Sequence, residues 1–324
     1  LGQVEPTLFV LLPGFAQGQQ RAQVIIGHGA PEETPKRGRV KPARGLAHPA
    51  PEIALPRTSA MVGAVTDERA DHIVVRGVNK RYGDFYALRD VHLRVGRGDI
   101  AVIIGGSGAG KTTLLKILIG LDKPTSGEVV VSGTNIVPLS ERKMSDVRRK
   151  MSMVFQYSAL LDSMNVLDNV AFPLREHTNL AEKEIRARVK EKLKILGLEN
   201  IEHRAPSELS GGMRKRVGLA RALMLEPEVI MYDEPTSGLD PITSRMVDDL
   251  IVSTRNRFDV TSIVISHDMA GALRIADQIY LLDQGQIVAS GTPHELVRGD
   301  NELAQRFLES SGIEAERLLA EERS

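Results

Sequence analysis

Nine consecutive residues, Gly105-Gly106-Ser107-Gly108-Ala109-Gly110-Lys111-Thr112-Thr113, carry the pattern G-x-x-x-x-G-K-[ST]. Their types suit one task, the holding of a polyphosphate. Gly105, Gly106, Gly108 and Gly110 let backbone N–H groups curl round an anion without Cβ clashes. Lys111 has the reach to touch β- and γ-phosphates, and the Thr112 hydroxyl suits a Mg²⁺ ion. Other residues could join such chemistry. Leu209-Ser210-Gly211-Gly212-Met213 opens a second helix with glycines, which makes its N-terminus approachable by an anion. Asp233 and Glu234 end the apolar run Val229-Ile230-Met231-Tyr232, and His267 follows the apolar run Ser262–Ser266.

These residues need elements to position them. Asp99–Ile104 reads as a buried strand and Leu114–Ile119 as a helix, so the first glycine loop joins strand to helix, the context its pattern requires. Strands are also predicted over His72–Val78, Val91–Val95, Glu128–Val131, Ser152–Phe155, Glu228–Tyr232 and Ser262–Ser266, with a turn at Lys80-Arg81-Tyr82-Gly83. Ala181–Leu196 is helical, with Ile185, Val189, Leu193 and Leu196 on one face and Gly197 as its stop. Met213–Leu225 is a second helix, Pro241 opens a third, and Leu303–Leu319 is a charged one. Ile279–Leu282 and Gln286–Ala289 form a hairpin round Asp283-Gln284-Gly285. Alternating strands and helices predict an α/β fold with a largely parallel sheet covered on both faces.

Composition narrows the class. Lys+Arg and Asp+Glu both number 42, so no global field draws the chain to nucleic acid or anionic lipid. The basic triplets Arg148-Arg149-Lys150 and Arg214-Lys215-Arg216 lack interleaved aromatics and read as solvated helix faces. With no cysteine there is no disulfide or thiolate metal site. No apolar run nears the ~20 residues that cross a bilayer.

The motifs, in their order, resemble those of the ATPase subunit of ATP-binding-cassette (ABC) transporters over residues 72–310. The resemblance implies a P-loop NTPase core with a mostly parallel sheet, an antiparallel β subdomain and a helical subdomain inserted at about residues 157–226. It implies ATP and Mg²⁺ as ligands. Ser210, Gly211 and Gly212 would cap the γ-phosphate of an ATP held by a partner's phosphate loop, so two copies would close head to tail on two ATPs. Asp233 would support the Mg²⁺ shell and Glu234 would be the general base for the attacking water. Gln156 would touch Mg²⁺ and water, and His267 the γ-phosphate. Ser237-Gly238-Leu239-Asp240 would cross the dimer interface, and Tyr82 would stack on adenine. Five other histidines, His72, His92, His177, His203 and His294, read as structural.

The segment Met151–Thr178, with its Pro173-Leu174-Arg175-Glu176-His177-Thr178 run, and Met213 resemble the ATPases of Mla (Mce-type) phospholipid-trafficking systems of Gram-negative bacteria. Thr236–Asp240 departs from that pattern towards the generic cassette. This resemblance implies a peripheral place on the cytoplasmic face of the inner membrane. The partners implied are a second ATPase copy, a multispanning permease docked against Tyr157–Thr178, a periplasmic Mce-type lipid-binding subunit and a small cytoplasmic regulatory subunit, with no nucleic acid. Two alternatives share the core motifs: the ATPase of another importer, such as one for amino acids, and a soluble cassette protein acting on ribosomes or DNA.

Residues 1–60 hold eight of the sixteen prolines and no steady apolar period, and the first methionine is Met61. They read as a disordered leader or as sequence upstream of the true start, with a regulatory or targeting arm as the alternative; residues 311–324 read as a tail. Removal of residues 1–60 is therefore expected to leave ATP turnover unchanged, measured as phosphate release by the full and shortened chains side by side.

Overall fold

The computed structural model describes residues 71–155 and 158–310. Strands β1 (Asp71–Tyr82) and β2 (Phe85–Gly96) form a hairpin, and β4 (Ser126–Val131) and β5 (Thr134–Asn135) complete an antiparallel sheet in the order β2-β1-β4-β5. A larger sheet runs β10-β9-β3-β8-β7-β6, built from β3 (Ile100–Ile104), β6 (Met151–Val154), β7 (Val229–Asp233), β8 (Thr261–Ser266), β9 (Gln278–Asp283) and β10 (Gln286–Gly291). Its first five members in space after β10 are parallel, and β10 closes the edge antiparallel to β9. The expected mostly parallel sheet and antiparallel β subdomain are thus present.

Apolar runs explain why β3 is central. Ile100, Val102 and Ile104 enter one core, while Ala101 and Ile103 enter the other, so both faces of the strand are buried. The second core packs β3 against the antiparallel sheet and α1 (Lys111–Leu118). The first core covers the opposite face with α3 (Val166–His177), α4 (Glu182–Ile195), α5 (Gly211–Ala222), α6 (Pro241–Phe258) and α7 (Met269–Ile275). Helix α2 (Glu141–Arg148) precedes β6, and α8 (Pro293–Arg298) and α9 (Glu302–Ser310) follow β10. Gly197 adopts φ 67 just past α4, the left-handed conformation that ends a helix, as its position predicts.

One expectation shifts. Lys80, Arg81 and Tyr82 belong to β1 and the turn is Gly83–Asp84, because β1 continues to pair with β2 as far as Tyr82–Phe85. The helix expected over Leu303–Leu319 is described as far as Ser310, and its remainder lies outside the described residues, as do residues 1–60 and 311–324.

His72, expected to be structural, joins the two sheets. Its ring is 2% exposed, with Nδ1 2.6 Å from Thr261 Oγ1 on β8, and Nε2 2.8 Å from Ser132 Oγ and 3.3 Å from Glu228 Oε2. Burial holds its pKa below the ordinary 6.5, outweighing the pull of Glu228, while the Arg97 and Lys150 cations lower it further. The neutral ring is thus the folded form, and the unfolded chain binds the extra proton. The contribution of His72 is complete above pH 6.5 and is lost as the pH falls below it. His72→Ala is expected to cost about 1–3 kcal/mol at neutral pH. Chemical denaturation of both proteins across the acid range should show that gap narrowing as pH falls.

Candidate functional site

The phosphate loop leaves β3 and enters α1 at the C-terminal edge of the parallel sheet. Its glycines divide by job. A Cβ on Gly105 would lie 2.2 Å from the Leu282 carbonyl oxygen of β9, and one on Gly110 would lie 2.7 Å from that of Ala87 on β2. Gly110 also sits at φ 108, where it precedes the first turn of α1. These two are glycine because neighbouring backbones press on the loop. Gly106 and Gly108 face open space, so their bare backbone is available to a ligand. Thr112 is exposed, Thr113 half-buried.

Glu234, Lys111 and His267 converge at this edge. The Lys111 ammonium, its side chain 10% exposed, donates to the Gly105 and Gly106 carbonyls at 2.7 and 3.1 Å and lies 3.7 Å from Glu234 Oε1. The other Glu234 oxygen is hydrogen-bonded to His267 Nδ1. Parallel register explains the meeting: Ile104 of β3 pairs with Ser266 of β8, and Asp233 of β7 pairs with Ile265. Glu234 takes a left-handed backbone, φ 48, and its N–H bonds the Ile265 carbonyl at 2.9 Å. Asp233 lies beside it. Burial, then the neighbouring Glu234 charge, pushes the Asp233 carboxyl above its usual range against the pull of Lys111 and Lys116. That carboxylate makes no hydrogen bond to a described residue, so it suits a cation. Among the described residues no cluster of three or more His, Cys, Asp or Glu could hold a metal unaided. A Mg²⁺ here would therefore rest on Thr112, Asp233 and the phosphates of its nucleotide. Gln156 lies outside the described residues.

Tyr82 ends β1 with its ring 47% exposed. Its hydroxyl donates to Asp122 Oδ2 at 2.6 Å, and the Lys80 ammonium, 2.6 Å from Asp122 Oδ1, sits 4.7 Å over the ring. Burial, then the hydrogen bond to Asp122, pushes the phenol up to about 12. The sequence gives no warning of this brace, because Asp122 is 40 positions away and carries no motif.

At the start of α5, the Ser210 side chain caps the helix by accepting from Met213 N at 3.3 Å. Gly211 and Gly212 have open space where a Cβ would stand, so nothing in their own chain demands glycine there. Asp240 caps α6, accepting from the Ile242 and Thr243 N–H groups at 3.0 Å. Gly238, before it, has φ 72.

The basic triplets are not simply solvated. Arg148 is half-wrapped by the turn after α1, donating to the Gly120 carbonyl at 2.7 Å, and also pairs with Glu141. The cations of α5 sit on carbonyls. Arg214 donates to Leu209 at 2.8 Å, Lys215 to Pro235, Arg216 to Leu196 at 3.3 Å, and Arg221 to Ala159 and Ser158 at 2.8 and 2.9 Å. Arg221, alone amid Val217–Leu225, was the signal that sequence reasoning passed over. It holds a strained pair, Ser158 at φ 61 and Ala159 at φ 42, and Asn169, fully buried, holds the next stretch through Leu161, Met164 and Asn165. Leu161 and Met164 remain half-exposed on this fixed segment.

Residues 88–237 match the ABC transporter family. The chain is 42% identical over 242 residues to the intermembrane phospholipid transport system ATP-binding protein MlaF of Haemophilus influenzae, covering 74% of this chain and 92% of that one. It is 40% identical over 241 residues to the probable ribonucleotide transport ATP-binding protein mkl of Mycobacterium leprae, covering 74% and 70%. Among solved structures, CbiO1 of Clostridium perfringens, part of the ABC transporter complex CbiONQ, superposes with TM-score 0.66 at 30% identity over 74% of this chain and 94% of that one. The cassette MJ0796, solved as a dimer in a post-hydrolysis state with ADP and Pi, gives 0.61 at 33% identity over 68% and 98%. Gly110→Ala, which drives a Cβ against Ala87, should weaken binding of a fluorescent ATP analogue at least about tenfold, a cost of 1.4 kcal/mol or more. Fluorescence titration of the full chain checks it.

Proposed function

The chain belongs to the ABC transporter ATP-binding family and is an ATPase, and we propose that it powers phospholipid movement between the inner and outer membranes of a Gram-negative bacterium. The observation that carries the lipid is the 42% identity to a phospholipid-system ATPase over 92% of that protein's length. The relative from M. leprae supports a second reading, a ribonucleotide transporter, at 40% identity over a smaller share of its length. Reconstitution of the chain with its permease separates them: ATP-dependent transfer of a fluorescent phospholipid between vesicles supports the first, and uptake of radiolabelled ribonucleotide supports the second.

The chemistry is attack of water on the γ-phosphorus of ATP. The bond to the β–γ bridging oxygen breaks, leaving ADP and inorganic phosphate. The bared backbone of Gly106 and Gly108, with Ser107, Ala109 and Thr113, wraps the phosphates, and Lys111 neutralises their charge. Glu234 takes the proton of the attacking water on a carboxylate oxygen, and His267 Nδ1 holds that carboxylate in place. Tyr82, fixed by Asp122 and Lys80, offers its open ring face to adenine. Thr112, Asp233 and Gln156 would hold Mg²⁺, whose charge helps offset that of the transferring phosphoryl group.

The glycines at Gly211 and Gly212 weaken a helix start for no reason inside their own chain. An ATP brought by a second copy supplies the reason, so the active form is a head-to-tail dimer with Ser210, Gly211 and Gly212 on the partner's γ-phosphate and Asp240 near the seam. Residues 72–310 form the ATPase domain. No described helix is long and apolar enough to cross a membrane. The chain then works peripherally on the cytoplasmic face of the inner membrane. There a permease docks on Leu161 and Met164, and Mce-type and small regulatory subunits complete the assembly.

Glu234→Gln keeps the hydrogen bond to His267 but cannot accept a proton. ATP turnover should fall by ~10²–10⁴-fold while ATP binding persists and the dimer becomes stable enough to survive gel filtration. Normal turnover by this variant removes Glu234 from the role.

A further inference from the structure

Lys215 differs from the other cations of α5 in whose carbonyl it holds. Pro235 follows Glu234, the residue whose carboxylate faces the phosphate loop. Glu234 is a non-glycine residue in the left-handed region, φ 48. Such a backbone persists where its surroundings over-determine it. Three restraints act on this turn from the sheet edge and the turn itself: the Glu234 N–H on Ile265, the Ser237 N–H on the Glu234 carbonyl at 3.2 Å, and His267 on the carboxylate. Lys215 adds a restraint from α5, the helix that begins at Ser210-Gly211-Gly212.

The choice of side chain is costly for packing alone. The ammonium is half-buried and has no carboxylate partner among the described residues. Burial pushes its pKa below the ordinary lysine value with nothing to oppose it. A methionine would fill the same space without that cost. The bond to Pro235 is what the lysine adds, and it spans from the first core's helical layer to the C-terminal end of β7.

We propose that Lys215 is a positioning residue that ties the Ser210–Gly212 helix to the Glu234 turn, so that a partner's ATP closing on one sets the carboxylate of the other. This rests on the reading of Glu234 as base and of Ser210–Gly212 as the half-site for the partner's ATP. Each copy would then hydrolyse its own ATP efficiently only when its α5 has engaged the partner's, which couples the two sites through one hydrogen bond per chain.

The test compares Lys215→Met and Lys215→Arg with the unaltered full chain, in ATP turnover against ATP concentration, fluorescent ATP analogue binding and thermal melting. The methionine variant is expected to lose about 10- to 100-fold in kcat with nucleotide affinity unchanged. Its Hill coefficient should fall to about 1 from a value between 1 and 2. The arginine variant should restore most of both, since it still donates. Where the methionine variant fails to fold, Lys215→Leu, which equally cannot donate, takes its place. Unchanged kcat and Hill coefficient in the methionine variant overturn the proposal. So does a parallel loss of nucleotide affinity, or a failure of arginine to restore activity, either of which makes Lys215 part of the packing only. Normal hydrolysis by Glu234→Gln removes the underlying reading instead, whatever Lys215 does, so the two failures are distinguishable.

Discussion

Parallel register in the six-stranded sheet is the constraint on which the site depends. Ile104 pairs with Ser266 and Leu281, and Asp233 with Ile265, so β9, β3, β8 and β7 all end on one edge. Gly105, His267 and Glu234 each follow directly from one of those ends. A slip of one residue would reverse the faces of a strand and carry its terminal side chain to the other side of the sheet. Two cores prevent the slip. Each inner strand sends alternate residues into the helical layer and into the layer of α1 and the antiparallel sheet, so a slip would force each set into a core packed around the other.

The parts legible in the sequence are those whose signal is local. The glycine loop, the acids after Tyr232 and the histidine after Ser266 sit where an apolar run stops, and an apolar run of five or six residues in a parallel sheet is a strand. Helix stops such as Gly197 are equally local. The sequence is mute where a side chain's partner is distant. Tyr82 and Asp122 are 40 positions apart, Lys215 and Pro235 are 20, and Arg221 and Ala159 are 62. Charge counting also misleads. Cations seated on carbonyls leave no opposite charge in the sequence to reveal them, so Arg214-Lys215-Arg216 reads as a solvated face when its side chains are in fact fastened to backbone.

Helix α5 gathers those distant fastenings. Its residues line the first core, while its cations reach the stretch before it, the end of α4, the turn after β7 and the strained pair after β6. A hydrogen bond from a cation to a neutral carbonyl is stronger than a neutral one and carries a fixed direction. Four such cations make the helix a common reference for segments that the sheet holds only at its edge. The same logic governs Asn169, whose one buried amide sets the path of the chain from Leu161 to Asn165.

The place of β3 in the sheet also has a consequence for how the protein is made. Its neighbours are β8 and β9, so Ile100 meets Ser262 and Ala101 meets Gln278. A chain leaving the ribosome exposes Ile100–Ile104 and the glycine loop long before either neighbour exists. The carbonyl of Leu282, against which Gly105 is moulded, is among the last parts of the sheet to be synthesised. A nascent chain that stops short of β8 holds the whole nucleotide motif in its sequence, yet its most apolar strand has both edges unpaired. Such a chain is prone to pair with other chains instead. The backbone against which Gly105 is moulded is thus in place only once β9 has joined β3.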